Sequence, residues 1–163
     1  EYALANENSY GKTEMWYVVD AEEGASLVYG LKKDVTKEEF LDLAKNGGLM
    51  DILNFVPVKK GDVFFIRSGM IHAIGKGILI AEIQQNSNTT YRVYDYGRVG
   101  ADGKPRELHT EKALEVTVTA PPSHPVMHQN DDAVTTLAAR FLTYHLWFMG
   151  KQGGEWGWGF WKR

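Results

Sequence analysis

The run Gly61-Asp62-Val63-Phe64-Phe65-Ile66-Arg67-Ser68-Gly69-Met70-Ile71-His72-Ala73-Ile74-Gly75 carries the reading of the fold. Gly61-Asp62 makes a turn, an apolar strand runs to Ile66, and Arg67-Ser68-Gly69 turns the chain again. The next strand delivers His72 on one face with Ile71 and Ala73 on the other, because successive side chains of a strand alternate. An imidazole turned inward from a strand makes a good metal ligand, since the sheet locks its geometry; a buried, hydrogen-bonded core histidine satisfies the same pattern.

Working outward, further short β-like runs fall at 54–58, 78–84 and 89–96, separated by Lys-Lys-Gly-Asp, Arg-Ser-Gly and Gly-Lys-Gly breaks. Many short strands with glycine turns predict a sandwich or barrel rather than alternating βα units. Upstream, 14–20 and 26–31 are aromatic and β-branched and flank Glu22-Glu23-Gly24, which predicts a pair of antiparallel strands. Between them and the decisive run, Thr36 and Glu39 form a capping-box pattern ahead of Phe40, Leu41, Leu43 and Ala44 at helical spacing. Asn46-Gly47-Gly48 stops that helix, and 49–53 suits a second short one. His109 to Val116 suits one or two helical turns.

Composition bounds the function. The chain has 163 residues, the size of one ordinary domain, and carries 18 Lys plus Arg against 21 Asp plus Glu, a net charge of −3. That balance supplies no concentrated positive field for nucleic acid or an anionic membrane. With 44% apolar and 24% charged residues the chain is globular, and with no cysteine it has no disulfide framework, thiolate zinc knuckle or cysteine nucleophile. No apolar stretch approaches the ~20 residues of a membrane span, and no signal-peptide pattern is visible. A cytoplasmic protein is expected.

Three further stretches carry polar chemistry in apolar surroundings. Glu82 stands among Ile80, Ala81 and Ile83, where a carboxylate is costly to bury unless paired, protonated or bound to a cation; an outward-facing strand position is the plain alternative. Glu14 opens a strand after Gly11-Lys12-Thr13, and Lys12 reads most simply as a solvated loop lysine. Tyr91-Arg92-Val93-Tyr94-Asp95-Tyr96 alternates, so that Arg92, Tyr94 and Tyr96 share a face. That face suits either an oxyanion site or a surface salt bridge beside a tyrosine ladder.

Four stretches occur in order: Gly11-Lys12-Thr13-Glu14-Met15-Trp16-Tyr17, Ile71-His72-Ala73-Ile74-Gly75-Lys76-Gly77, Glu82-Ile83-Gln84-Gln85-Asn86-Ser87 and Thr90-Tyr91-Arg92-Val93-Tyr94-Asp95-Tyr96. Together they resemble the bacterial type I mannose-6-phosphate isomerases, a zinc-dependent branch of the cupin superfamily, from about Glu1 to about Val116. The 61–72 run also resembles the second cupin motif, with Arg67 where a proline is common.

The resemblance implies a mainly β, cupin or jelly-roll-like sandwich with a small α-helical insertion near 36–53. It implies one Zn²⁺ held by Glu14 and His72, together with a Gln and a His from a Gln-Val-His-Pro segment expected just before Glu1. Arg92, Lys12 and Glu82 match the family's active-site arginine, lysine and glutamate, with Lys12 and Arg92 serving the substrate's phosphate or a developing oxyanion. Asn88 departs from an often acidic position, and Met15 replaces a frequent cysteine. The activity implied is interconversion of mannose 6-phosphate and fructose 6-phosphate through a cis-enediol, with a hexose 6-phosphate as partner and neither nucleic acid nor membrane. The competing reading is a non-catalytic sugar or sugar-phosphate-binding cupin. A different cupin metalloenzyme would need a second histidine beside His72, and His109, His124, His128 and His145 lie in loop-like or unmatched contexts.

The expected organisation is a cupin-like catalytic region over 1–120, a connector and the start of a further β segment over 121–146, and a divergent Trp/Gly-rich tail over 147–163. The opening at Glu1-Tyr2-Ala3-Leu4, without Met, reads as a piece of a longer protein lacking the upstream ligand segment and the C-terminal strands.

Overall fold

The computed structural model describes residues 1–100 and 102–128. The readings made for the 147–163 tail, for His145 and for the later part of the 121–146 segment lie outside these residues. Two antiparallel sheets form the framework. One has four strands in the order β6-β1-β4-β7: β1 (Glu14–Ala21), β4 (Asp62–Ile66), β6 (Ile78–Gln84) and β7 (Met127–His128). The other has three in the order β3-β2-β5: β2 (Ser26–Leu31), β3 (Leu53–Pro57) and β5 (His72–Ala73). The expected mainly β, cupin-like sandwich is the fold observed.

Alternation along the strands builds the core. Trp16 and Val18 of β1, Leu27 and Tyr29 of β2, Phe64 and Ile66 of β4, and Ile80 of β6 pack with Met70 into one cluster. The opposite parity of β1 and β4, Met15 and Val63, packs against Met127 on the other side of the larger sheet. On β2 the parity changes. The register with β3 shifts between Val28 and Leu31, where Gly30 takes φ +71°. Val28 and Leu31 therefore meet the same second cluster, shared with Phe40, Leu49 and Ile52 of the helical insertion.

That insertion comprises α2 (Lys37–Asn46) and α3 (Leu49–Ile52), as the sequence predicts. Thr36 Oγ1 accepts from Glu39 N at 3.0 Å, the N-cap half of a capping box. The reciprocal half is missing because the Glu39 carboxylate pairs instead with Lys33 Nζ at 3.2 Å. The expected turns after His109 form α4 (Thr110–Val116). A short α1 (Tyr2–Glu7) precedes the first strand; Glu1 at its N-cap makes no side-chain capping bond, so no cap pattern marked it in the sequence.

Two expectations are corrected. The 14–20 and 26–31 strands do not pair with one another: β1 is flanked on both sides, by β4 and β6, so the turn at 22–24 carries the chain across to the other sheet. Glu22 N bonds to Gly77 O and Val58 N to Ala25 O, which hold the two ends of that crossing to different sheets. The 89–96 run is not a strand. Its backbone bonds instead to the start of α4, with Arg92 N donating to His109 Nδ1 at 3.2 Å and His109 N to Arg92 O at 2.7 Å. Tyr96 takes a left-handed φ of 54°, which ends any extended course. Among the described residues no helix is long and apolar enough to cross a membrane.

Candidate active site

A cavity of about 590 Å³ opens where the two sheets meet the 89–96 segment and the end of α4. Lys12, Glu14, His72 and Arg92 all stand on its wall. Glu14 begins β1, opposite Ile66 of β4 and Gln84 of β6, so its side chain points inward with Trp16 and Val18. His72 comes from the other sheet, opposite Tyr29 of β2, while Ile71 and Ala73 turn to the helical cluster. The alternation inferred for His72 is thus the one observed.

The Glu14 carboxylate is 1% exposed, and its two oxygens have different environments. Oε2 accepts from the Trp16 indole Nε1 at 2.9 Å. Oε1 lies 2.9 Å from Lys12 Nζ and 3.7 Å from His72 Nε2, yet no donor is aligned on it for a hydrogen bond. His72 Nδ1 lies 2.8 Å from Met70 O, an acceptor, which assigns the proton to Nδ1. In the neutral ring the Nε2 lone pair then faces the carboxylate oxygen. Two lone pairs turned toward each other fit a shared cation.

The fit to zinc follows from this donor set. Zinc takes imidazole nitrogen and carboxylate oxygen at about 2.0–2.2 Å, so two ligands of one ion stand roughly 3–4 Å apart. The 3.7 Å between Nε2 and Oε1 lies in that range. Among the described residues no group of three or more His, Asp or Glu side chains is placed to hold a metal ion, so Glu14 and His72 would contribute two of the three or four protein ligands usual for zinc.

Lys12 is not a solvated loop lysine. Its ammonium donates to Gln84 Oε1 at 3.0 Å and lies 3.8 Å from Glu82 Oε1 as well as against Glu14. Glu82 faces inward with Gln84, behind Lys12 and Glu14 rather than on the cavity wall. Burial raises its carboxyl above the usual carboxylate range, and the negative Glu14 adds to this, while Lys12 opposes it. The folded state therefore binds this proton more tightly than the unfolded chain. The associated stability is present below the ordinary Glu range and declines as pH rises through the raised value. Glu82→Gln in metal-free protein is expected to raise the thermal midpoint at neutral pH, with the gain vanishing on acidification. Melting curves across pH check this.

Arg92 reaches the cavity from the irregular 89–96 segment, with Nε 3.7 Å from Asp95 Oδ1 and Nη1 donating to Glu107 O at 3.3 Å. Tyr94 and Tyr96 also line the cavity, in edge contact at 4.9 Å. The site thus gathers Lys12, Glu14, His72 and Arg92 around one space with Glu82 just behind. Trp16, Gln84 and the Met70 carbonyl are the partners that sequence reasoning left without roles. The available signal was parity: Trp16 lies two residues beyond Glu14 and Gln84 two beyond Glu82, on the same strand faces.

Two facing antiparallel sheets, with a histidine and a carboxylate converging in a cavity between them, make a cupin-like fold. The chain is 48% identical over 140 residues to mannose-6-phosphate isomerase ManA of Bacillus subtilis, covering 83% of this chain and 44% of that protein. It is 41% identical over 150 residues to mannose-6-phosphate isomerase of Streptococcus mutans, covering 90% and 47%. The crystal structure of mannose 6-phosphate isomerase from Bacillus subtilis superposes with a TM-score of 0.70 at 40% identity, over 78% of this chain and 40% of that one. A putative mannosephosphate isomerase from Archaeoglobus fulgidus, at 23% identity and a TM-score of 0.58, shares the fold. No family model matches. Over most of its own length the chain is a homologue of mannose-6-phosphate isomerases. It spans somewhat under half the length of these curated relatives.

Proposed function

We propose that this chain forms the metal- and sugar-holding part of an isomerase that interconverts mannose 6-phosphate and fructose 6-phosphate through a cis-enediol. The convergence of Glu14 Oε1 and His72 Nε2 to 3.7 Å from two different sheets is the observation that carries the reading. Glu14 and His72 would hold Zn²⁺. The chemistry such an ion supplies is Lewis acidity toward the sugar oxygens at C1 and C2, where negative charge develops.

The remaining roles follow from position. Lys12 and Arg92 face the cavity and offer positive charge to the phosphate or to the developing oxyanion; Arg92 brings a planar fork suited to phosphate oxygens. A carboxylate or imidazole near the metal would move the proton between C2 and C1, with Glu82 and the histidine segment expected before Glu1 as the candidates; general acid–base help of this kind contributes roughly 10²–10⁴-fold. Val28, Leu53, Met70 and Ile71 add apolar surface to the cavity wall, which lowers the local dielectric and strengthens the electrostatic contacts there.

The test is turnover of mannose 6-phosphate to fructose 6-phosphate by the whole protein, followed with and without a chelator. Turnover lost on chelation and restored by zinc supports the reading. Sugar-phosphate binding that persists in chelator, with no isomerisation under any metal, would replace it with the non-catalytic sugar-binding cupin.

A further inference from the structure

The core side chain of Trp16 touches both Glu14 and His72. Its indole is 2% exposed and donates from Nε1 to Glu14 Oε2 at 2.9 Å. Its ring meets the His72 imidazole edge-on, with centroids 5.3 Å apart and planes at 78°. The β1–β6 register also sets Trp16 directly opposite Glu82, the second carboxylate of the network. We infer that Trp16 is the positioning residue of the metal centre: it binds Glu14 Oε2 so that Oε1 alone faces the cation, and its ring fixes the plane of His72.

The inference rests on the proposed metal reading and deepens it. A carboxylate can meet a cation through one oxygen or through both. With Oε2 engaged by a buried indole N–H, turning the carboxylate to offer both oxygens would break that hydrogen bond in the core. The other oxygen, Oε1, has no aligned donor: the Lys12 ammonium lies 2.9 Å from it as a counter-ion and the His72 Nε2 lies 3.7 Å away. The His72 ring is held at two points, by Met70 O at Nδ1 and by the edge contact with Trp16, so its Nε2 direction is set before any ligand arrives. Phe64 and Ile66 pack against Trp16 in the same cluster, which keeps the indole from swinging away.

Hydrogen bonds that orient metal ligands typically contribute 10–100-fold to affinity. Trp16→Phe, which keeps most of the ring packing and removes the N–H, is therefore expected to weaken Zn²⁺ binding about 10–100-fold. The measurement is competition with a chromophoric chelator on the intact protein. Replacing Trp16 by benzothienylalanine, an isostere with sulfur in place of N–H, guards against a packing effect and should give the same loss. In the Co²⁺-substituted protein both changes should alter the visible absorption band, because the carboxylate is freed to offer a second oxygen. A purely structural role would lower the thermal midpoint of the metal-free protein and leave the band shape unaltered; that result overturns the inference. So does zinc affinity within about twofold of the parent in folded variants, well short of the expected factor. A parent protein that binds no zinc overturns the metal reading itself, and this inference with it. Tight binding by the parent with an unchanged isostere overturns Trp16 alone.

Discussion

Under the proposed isomerase reading, replacing His72 by alanine is expected to lower mannose 6-phosphate turnover by the whole protein roughly 10³-fold or more, because several kcal/mol of transition-state stabilisation would leave with the metal. The argument is geometric. In the cavity Glu14 and His72 stand as a histidine–carboxylate pair, so removing the imidazole leaves the buried Glu14 carboxylate with Lys12 as its counter-ion. Zinc affinity and activity should fall together. Stability should change far less: His72 is partly exposed and gives up one hydrogen bond, to Met70 O, of about 1 kcal/mol. Parallel measurement of turnover, zinc content and thermal midpoint separates the outcomes. A folded His72→Ala protein that retains zinc and full turnover would remove the imidazole from the site.

Phe64→Ala should have the opposite profile, a large loss of stability from a residue that touches no substrate. Phe64 is 0% exposed, sits opposite Trp16 in the β1–β4 register and meets Tyr29 of the other sheet edge-on at 5.2 Å. Truncating a fully buried phenylalanine costs about 3–5 kcal/mol through lost transfer energy and the cavity left behind. For a domain of this size that corresponds to a fall in thermal midpoint of roughly 10 °C. Denaturant unfolding checks it, and a midpoint shift near zero would mean that Phe64 does not bridge the two sheets.

Much of the framework was legible because strand alternation and glycine turns are local signals. The runs at 62–66 and 78–84 appear where the pattern puts them, and the Thr36 cap starts α2 where it should. The failures have a common cause. The pairing of 14–20 with 26–31 was inferred from the turn between them. A turn reports that the chain reverses, however, not which neighbour is already occupied, and β1 had both of its edges filled by distant strands. The aromatic, β-branched 89–96 run has strand composition, but its backbone partner is the His109 region rather than a strand, so tertiary context overrode propensity.

At the site, the four motif stretches pointed to Lys12, Glu14, His72, Glu82 and Arg92, and the structure brings all five into one neighbourhood. Residue spacing alone left His72 open between ligand and core and made Lys12 a surface residue. That both stand on one cavity wall follows from the meeting of two sheets, which no window of sequence reports. The position of Glu82 behind the wall, and the hydrogen bond from Trp16, depend on the β1–β6 register and became visible only with it.

The split origin of the site has a mechanical consequence. Glu14 belongs to one sheet and His72 to the other, and between them the layers are joined mainly by apolar contacts, which slide more readily than ladder hydrogen bonds. Whatever is held by both side chains at once acts as a rivet through the two layers. A ligand present at a thousand times its dissociation constant would add about 4 kcal/mol to the resistance of the pair against coming apart.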